Sequence, residues 1–254
     1  MKRKSKDSKN SGQALIVTSL IITMLLLSTA YYVFEIDKNV ADNPTAVDYA
    51  FLATKLSTLN TIVSALANVS NGGERAILMA NLNELSSAIR SHSYDAECLL
   101  LFTPLDSPQY QDGIETSWGS SGLGISSAYV GFSLNVTGLS VSYYSEFETN
   151  VTAGLNIDGS FTGSGSEKSV NATCRVYDEK GLALASDITL FYQNETSGAW
   201  ISLSPSNSLN ITDYGDGTYF MSFNVNTQNV LNLSAHVHDS RGIFVMANVT
   251  CSMA

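Results

Sequence analysis

The sequence predicts a mainly β chain that opens with a transmembrane helix and a helical stalk and closes with an antiparallel β-sandwich. Three observations carry that reading: a charge-free apolar run over 14–34, apolar residues at steps of three and four over 49–89, and strand-like alternation toward the C-terminus. The segments that follow are a basic tail over 1–12, the membrane helix over 13–36, a helical hairpin or stalk over 37–93, a β region with a long loop over 94–165, and the sandwich over 166–254.

The chain has 254 residues, 44% of them hydrophobic, which places it among folded proteins with real cores. Its net charge is −10, yet Lys2, Arg3, Lys4, Lys6 and Lys9 crowd the first nine residues. At 1.5 Å per residue a helix over 14–34 covers about 31 Å, the thickness of bilayer hydrocarbon. Cations ahead of that run, with Tyr31, Tyr32 and Phe34 at its far end, orient it with the N-terminus inside and the body outside. The expected location is the cytoplasmic membrane, crossed once, with the body at the cell surface. The acidic body repels phosphate backbones, so nucleic acid is not an expected partner.

Three fates are open to the leading segment. It can remain as an uncleaved signal anchor, be cut after Ala30 behind Ser28 and Thr29, or be processed earlier. The stretch Ser11-Gly12-Gln13-Ala14-Leu15, after a basic run and directly before the apolar segment, resembles the class III signal of archaeal type IV pilin-like proteins. That resemblance covers about the first 35 residues and implies cleavage between Gly12 and Gln13, with the retained helix serving filament assembly. Ser11 and Val17 depart from it, standing where a basic residue and Glu are common in the family.

Between Asn43-Pro44 and the turn at Asn71-Gly72-Gly73, the residues Tyr49, Leu52, Leu56, Leu59, Val63 and Leu66 trace one apolar helix face. Leu78, Leu82, Leu85 and Ile89 repeat the spacing after the turn, so the two segments either zip into an antiparallel helical hairpin or pack on the β domain, with a membrane-proximal stalk as the expected form. Beyond His92 the period changes to two. Residues 98–102 suit a buried strand, and 104–124 reads as a surface loop rich in turn residues. Val130, Phe132, Leu134 and Val136, then Phe147, Val151, Leu155 and Ile157, alternate with polar residues as half-buried antiparallel strands do.

A Gly/Ser stretch over 159–166 reads either as a divider or as a hairpin turn. After it, strands are predicted near 169–177, 186–193, 199–203, 208–212, 218–225, 230–238 and 243–251, a count that suits an immunoglobulin-like fold. Asp213-Tyr214-Gly215-Asp216-Gly217-Thr218-Tyr219, running into Phe220-Met221-Ser222-Phe223, resembles the turn and strand of filamin-like and invasin-like extracellular immunoglobulin repeats. The turns at 176–181 and 238–242 resemble others in those repeats, while Leu182 departs where Pro is common. The resemblance covers about 167–254 and implies a spacer or adhesive module.

Asn-X-Ser/Thr sequons occur at Asn68, Asn135, Asn150, Asn171, Asn194, Asn210, Asn232 and Asn248, all beyond the apolar segment and therefore candidates for glycosylation. Alternation turns the Cys174 and Cys251 thiols toward the core in the first and last predicted sandwich strands. A disulfide between them is predicted, with two buried thiols as the alternative, and Cys98 is then either free and buried or a cross-link between two subunits. His236 and His238 share a strand face but lack further metal ligands, and Asp213 with Asp216 is explained by the turn it makes. With no nucleophile elbow, zinc helix, phosphate loop or CxxC pair, no cofactor, metal site or enzymatic activity is expected.

The expected role is therefore a membrane-anchored extracytoplasmic structural protein, pilin-like at its start, that self-assembles or meets other surface proteins. The alternative is an adhesin or envelope receptor that binds through Tyr110 and Trp118 on the 104–124 loop. A third reading, a hydrolase, requires Asp106, Asp112 and Glu115 to converge in a pocket.

Overall fold

The structure is a computed structural model that describes residues 22–24, 26–28, 46–92, 96–138, 142–163, 165–194, 197–204, 209–228 and 230–254. Two compact units are distinguished, residues 1–50 and 51–254. In the first, residues 22–24 and 26–28 are helical, and Ile22, Met24, Leu26 and Leu27 are exposed. The predicted membrane helix is corrected here: among the described residues no helix is long and apolar enough to cross a membrane. Most of the 14–34 run lies outside the described residues, as do Gly12 and Gln13.

Two helices precede the strands, α1 (Ala46–Ser70) and α2 (Ala76–His92). The strands are β1 (Ala96–Pro104), β2 (Ile114–Trp118), β3 (Leu123–Gly138), β4 (Ser142–Thr162), β5 (Glu167–Asp178), β6 (Gly181–Leu182), β7 (Ala185–Gln193), β8 (Trp200–Ser202), β9 (Asn210–Asp213), β10 (Thr218–Asn226), β11 (Asn232–Asp239), β12 (Phe244–Thr250) and β13 (Ser252–Met253). Among the described residues they form a nine-stranded sheet ordered β1-β3-β4-β5-β10-β9 and a four-stranded sheet ordered β12-β11-β7-β8. Off the main path of the larger sheet, β2 pairs with β3, β6 with β5, and β13 runs parallel to β4.

The β3–β4 hairpin is the spine. β4 has 21 residues, so it spans about 70 Å, and Leu123 to Thr137 of β3 pair with Asn156 to Ser142 without a break. One face of that long ribbon is covered twice. Toward the turn between β3 and β4 the cover is helical: Ile62, Leu66, Leu78 and Leu82 are fully buried in one core with Leu100, Val130 and Leu134. Toward the other end the cover is the smaller sheet, whose β12 lies against β3 and β4 and whose Leu190, Leu233, Val237 and Val245 are buried in the same core as Leu155, Ile157 and Met221. Each such side chain taken from water contributes about 1.5–3 kcal/mol.

The stalk is corrected by this packing, because α1 and α2 form a layer on the sheet. Phe51 sets α1 on β4, meeting Tyr143 and Phe147 edge-on at centroid distances of 5.9 and 5.6 Å. The buried face of α1 overlaps the expected one only at its C-terminal end, where Leu66 is buried and Val63 half-buried. Thr54, Thr58, Ile62 and Leu66 point inward, and Tyr49, Leu52, Leu56 and Leu59 are exposed. A threonine can replace leucine inside because its hydroxyl is satisfied by its own helix; Thr58 Oγ1 donates to the Lys55 carbonyl at 2.8 Å.

Within the second unit, β4-β5-β10-β9 facing β12-β11-β7-β8 reproduces the strand order ABED against GFC with an added C′ strand, the arrangement of an immunoglobulin-like sandwich. The seven predicted strands correspond to β5, β7, β8, β9, β10, β11 and β12. The first strand of the sandwich is β4, however, and the Gly/Ser stretch does not divide two domains: Gly159 to Thr162 end β4 and pair with β5. Residues on either side of position 165 are thus paired in one sheet, with Phe161 opposite Val170.

Close approach between the layers requires Gly124. A Cβ there would collide with the Met246 carbonyl oxygen, so only glycine lets β12 rest against the start of β3.

Candidate functional site

Two of the turns singled out by sequence converge with the end of α1. Asp239, 2% exposed, accepts hydrogen bonds from the Arg241 and Ile243 amides at 2.9 Å, an Asx turn that shapes the β11–β12 connection. That turn aims Arg241 at the exposed edge of β4. Its Nε donates to Asp239 Oδ2 at 2.8 Å, Nη1 to Glu179 Oε1 at 2.9 Å, and Nη2 to the Thr152 carbonyl at 2.7 Å. Glu179, from the β5–β6 turn, also accepts from the Thr152 amide. β5 pairs with β4 only from Gly154 onward, so Arg241 and Glu179 satisfy the backbone of Thr152 where the neighbouring strand is missing. Burial opposes the guanidinium charge, and the hydrogen bonds to Glu179 and Asp239 outweigh it, holding the Arg241 pKa above its ordinary value.

From the helical side, Asn71 Nδ2 donates to the Gly242 carbonyl at 3.1 Å, and the Phe244 amide donates to Ser70 Oγ at 3.0 Å. Asn71 Oδ1 lies 2.9 Å from His238 Nε2. These contacts tie the end of α1 to the β11–β12 connection, which Arg241 in turn ties to β4.

The outer face of the smaller sheet carries rings. His236 packs on Phe191 at 4.4 Å between centroids and meets Phe244 edge-on at 5.5 Å, and Trp118 meets Phe244 at 5.3 Å. Burial, then the charge of His238, lowers the His236 pKa from 6.5. His238 has its own partner, Asp187, at 3.8 Å. Among the described residues no cluster of three His, Cys, Asp or Glu side chains could hold a metal ion.

An open groove of about 450 Å³ lies on the outer face of the larger sheet, lined among others by Leu101 and Thr103 of β1, Gly131 and Ser133 of β3, and Glu146 and Glu148 of β4. Tyr129 donates to Glu148 and Tyr144 to Glu146. Both phenol pKa values are raised by those hydrogen bonds.

The 104–124 segment is not the free loop of the receptor reading. Residues 114–118 pair with β3, Tyr110 donates to Ser127 Oγ at 3.0 Å, and Trp118 Nε1 donates to Ser126 Oγ at 3.1 Å. Both aromatics are held against the sheet. Asp106 and Asp112 are exposed on the connection before β2, while Glu115 is half-buried within it.

The predicted disulfide is corrected as well. Cys98, Cys174 and Cys251 are all buried free thiols. Cys174 belongs to the second sandwich strand, opposite Ile157 of β4, whereas Cys251 lies over Gly159, where an added Cβ would be 2.7 Å from its sulfur. Taking β5 for the first strand hid that offset. Burial pushes the Cys174 thiol up to about 12, with Asp158 adding to it, and the Cys251 thiol to about 11.

The sequons are spread over the molecule. Asn68, Asn135, Asn150 and Asn210 are exposed, and Asn171, Asn194, Asn232 and Asn248 are half-buried. Asn68 lies in the last turn of α1, Asn135 on β3, Asn150 on β4, Asn171 on β5, and Asn210 on the edge strand β9. Asn232 and Asn248 belong to paired strands, so that Asn232 faces Thr250 and Asn248 faces Ser234. Alternation along the strands turns Asn135, Asn150, Asn171, Asn232 and Asn248 to the polar face, and the strand pairing that engages Asn232 and Asn248 is visible only in three dimensions.

Comparison with protein families and with curated proteins finds no match. Among solved structures, the first immunoglobulin domain of the mouse polymeric immunoglobulin receptor is similar at 18% identity, over 39% of this chain and 95% of that one, with a TM-score of 0.20. At that score the immunoglobulin-like assignment stands on the strand order of this chain itself.

Proposed function

We propose that this chain is an extracytoplasmic structural protein, held at a membrane through its apolar leading segment over 14–34 and built into a pilin-like surface assembly that displays the immunoglobulin-like sandwich. The observation that carries the reading is the second apolar face of α1. Leu52, Leu56 and Leu59 form a stripe at helical spacing that the chain's own sheet leaves exposed, and such a stripe is suited to packing against another apolar helix. The basic start at 2–9 and the Gly12-Gln13 junction support the same role from sequence.

The test is the N-terminal residue and intact mass of the mature protein recovered from membranes. A start at Gln13, in material that sediments as polymers, is the expected result. A start at Tyr31 in soluble, monomeric material would overturn the proposal.

A further inference from the structure

Each sequon presents two groups to a glycosyl transferase, the asparagine amide and the hydroxyl two residues later, and the fold treats the pairs differently. Resting on the extracytoplasmic reading above, we propose that the folded chain is glycosylated at Asn135 and Asn210 and is closed at Asn68 and Asn232.

Asn135 and Thr137 are both exposed on the outer face of β3. Asn210 and Thr212 are both exposed on β9, a four-residue edge strand with solvent on its open side. At these two sites amide and hydroxyl can be reached together.

The closed sites fail at the hydroxyl. Behind Asn68 stands Ser70, 3% exposed, whose Oγ donates to the Ala67 carbonyl at 3.1 Å and accepts from the Phe244 amide at 3.0 Å. Behind Asn232 stands Ser234, 2% exposed in the middle of the smaller sheet. The Asn232 carboxamide is also engaged on both sides: Nδ2 donates to Gln193 Oε1 at 3.0 Å, and Oδ1 accepts from Thr250 Oγ1 at 2.8 Å. Thr250 is itself the hydroxyl residue of the Asn248 sequon, so the two motifs interlock across β11 and β12. Freeing the Asn232 carboxamide would break both of these hydrogen bonds.

The co-substrate class is a sugar carried on a lipid diphosphate. In the transfer the asparagine Nδ2 bonds to the anomeric carbon, the anomeric C–O bond breaks, the diphosphate leaves with the electron pair, and the amide loses one proton.

Glycopeptide mass mapping of the protein from its native membranes tests the assignment. Sugar is expected on Asn135 and Asn210, with Asn68 and Asn232 bare. Thr137→Val and Thr212→Val, both at exposed positions, should each lower the intact mass by one glycan, and Ser234→Ala should leave it unchanged. A glycan on Asn68 or Asn232, or a bare Asn135 or Asn210, overturns the inference. Sugar on Asn232 would do so while leaving the extracytoplasmic reading intact, whereas a chain bare at all eight sequons would remove both.

Discussion

The two ends of the β3–β4 ribbon present the same kind of apolar face, yet one is covered by helices and the other by a second sheet. At the helical end the covering residues, Ile62, Leu66, Leu78 and Leu82, repeat at helical spacing; at the sheet end Leu233, Ala235 and Val237 alternate with Ser234, His236 and His238. A continuous strand pair thus accepts either period, provided the partner offers an apolar stripe of the right width. Because the ribbon is common to both, the two covers are energetically coupled even though their own side chains are drawn from different stretches of sequence.

The strongest way to break that comparison is to empty one core at a time. Leu66→Ala and Leu233→Ala each remove a fully buried side chain and should cost about 2–5 kcal/mol. Urea unfolding followed by helical circular dichroism and by tryptophan fluorescence should show one shared transition for both variants. Separate midpoints for the two signals in Leu66→Ala would mean that the helices are an independent layer.

A smaller loss is expected at the joint. Arg241→Met keeps the bulk of the side chain but strands Asp239 and Glu179, and the cost should be about 1–3 kcal/mol, moderated by the partial exposure of Arg241 and Glu179. Unfolding in denaturant, with Glu179→Gln and the double variant completing a cycle, measures it. Strict additivity of the two single changes would deny the pairing.

The smallest effect concerns His236. Its pKa is lowered in the fold, so as pH falls through 6.5 the unfolded chain takes up a proton before the folded chain does, and stability declines. The decline should level off below the depressed folded value. His236→Gln should flatten that part of the curve of midpoint temperature against pH, and an unchanged slope would assign it to other groups.

Sequence pattern made the strands legible because a half-buried strand writes its burial into every second residue. It located seven sandwich strands from 169 onward but overlooked that β4 is the eighth, since the glycines and serines over 159–166 look the same in a linker as in a hairpin. The face of α1 was misjudged for a related reason: leucine signals burial in sequence, while Thr54 and Thr58 do not, and only tertiary contact shows which stripe meets the sheet. Sequons were fully legible as motifs. Whether an amide and its paired hydroxyl share the open side of a strand depends on pairing between residues as distant as Asn232 and Thr250, which no local pattern encodes.

The shared strand also governs how this protein can be dissected. A fragment begun at the glycine-rich bend after Thr162 would lack strand A and expose the flank of β5 from Ser169 to Tyr177, inviting intermolecular pairing there. Conversely, the β3–β4 hairpin closes over the shortest connection of any of the long pairings, so its closure carries the smallest loop-entropy cost among them.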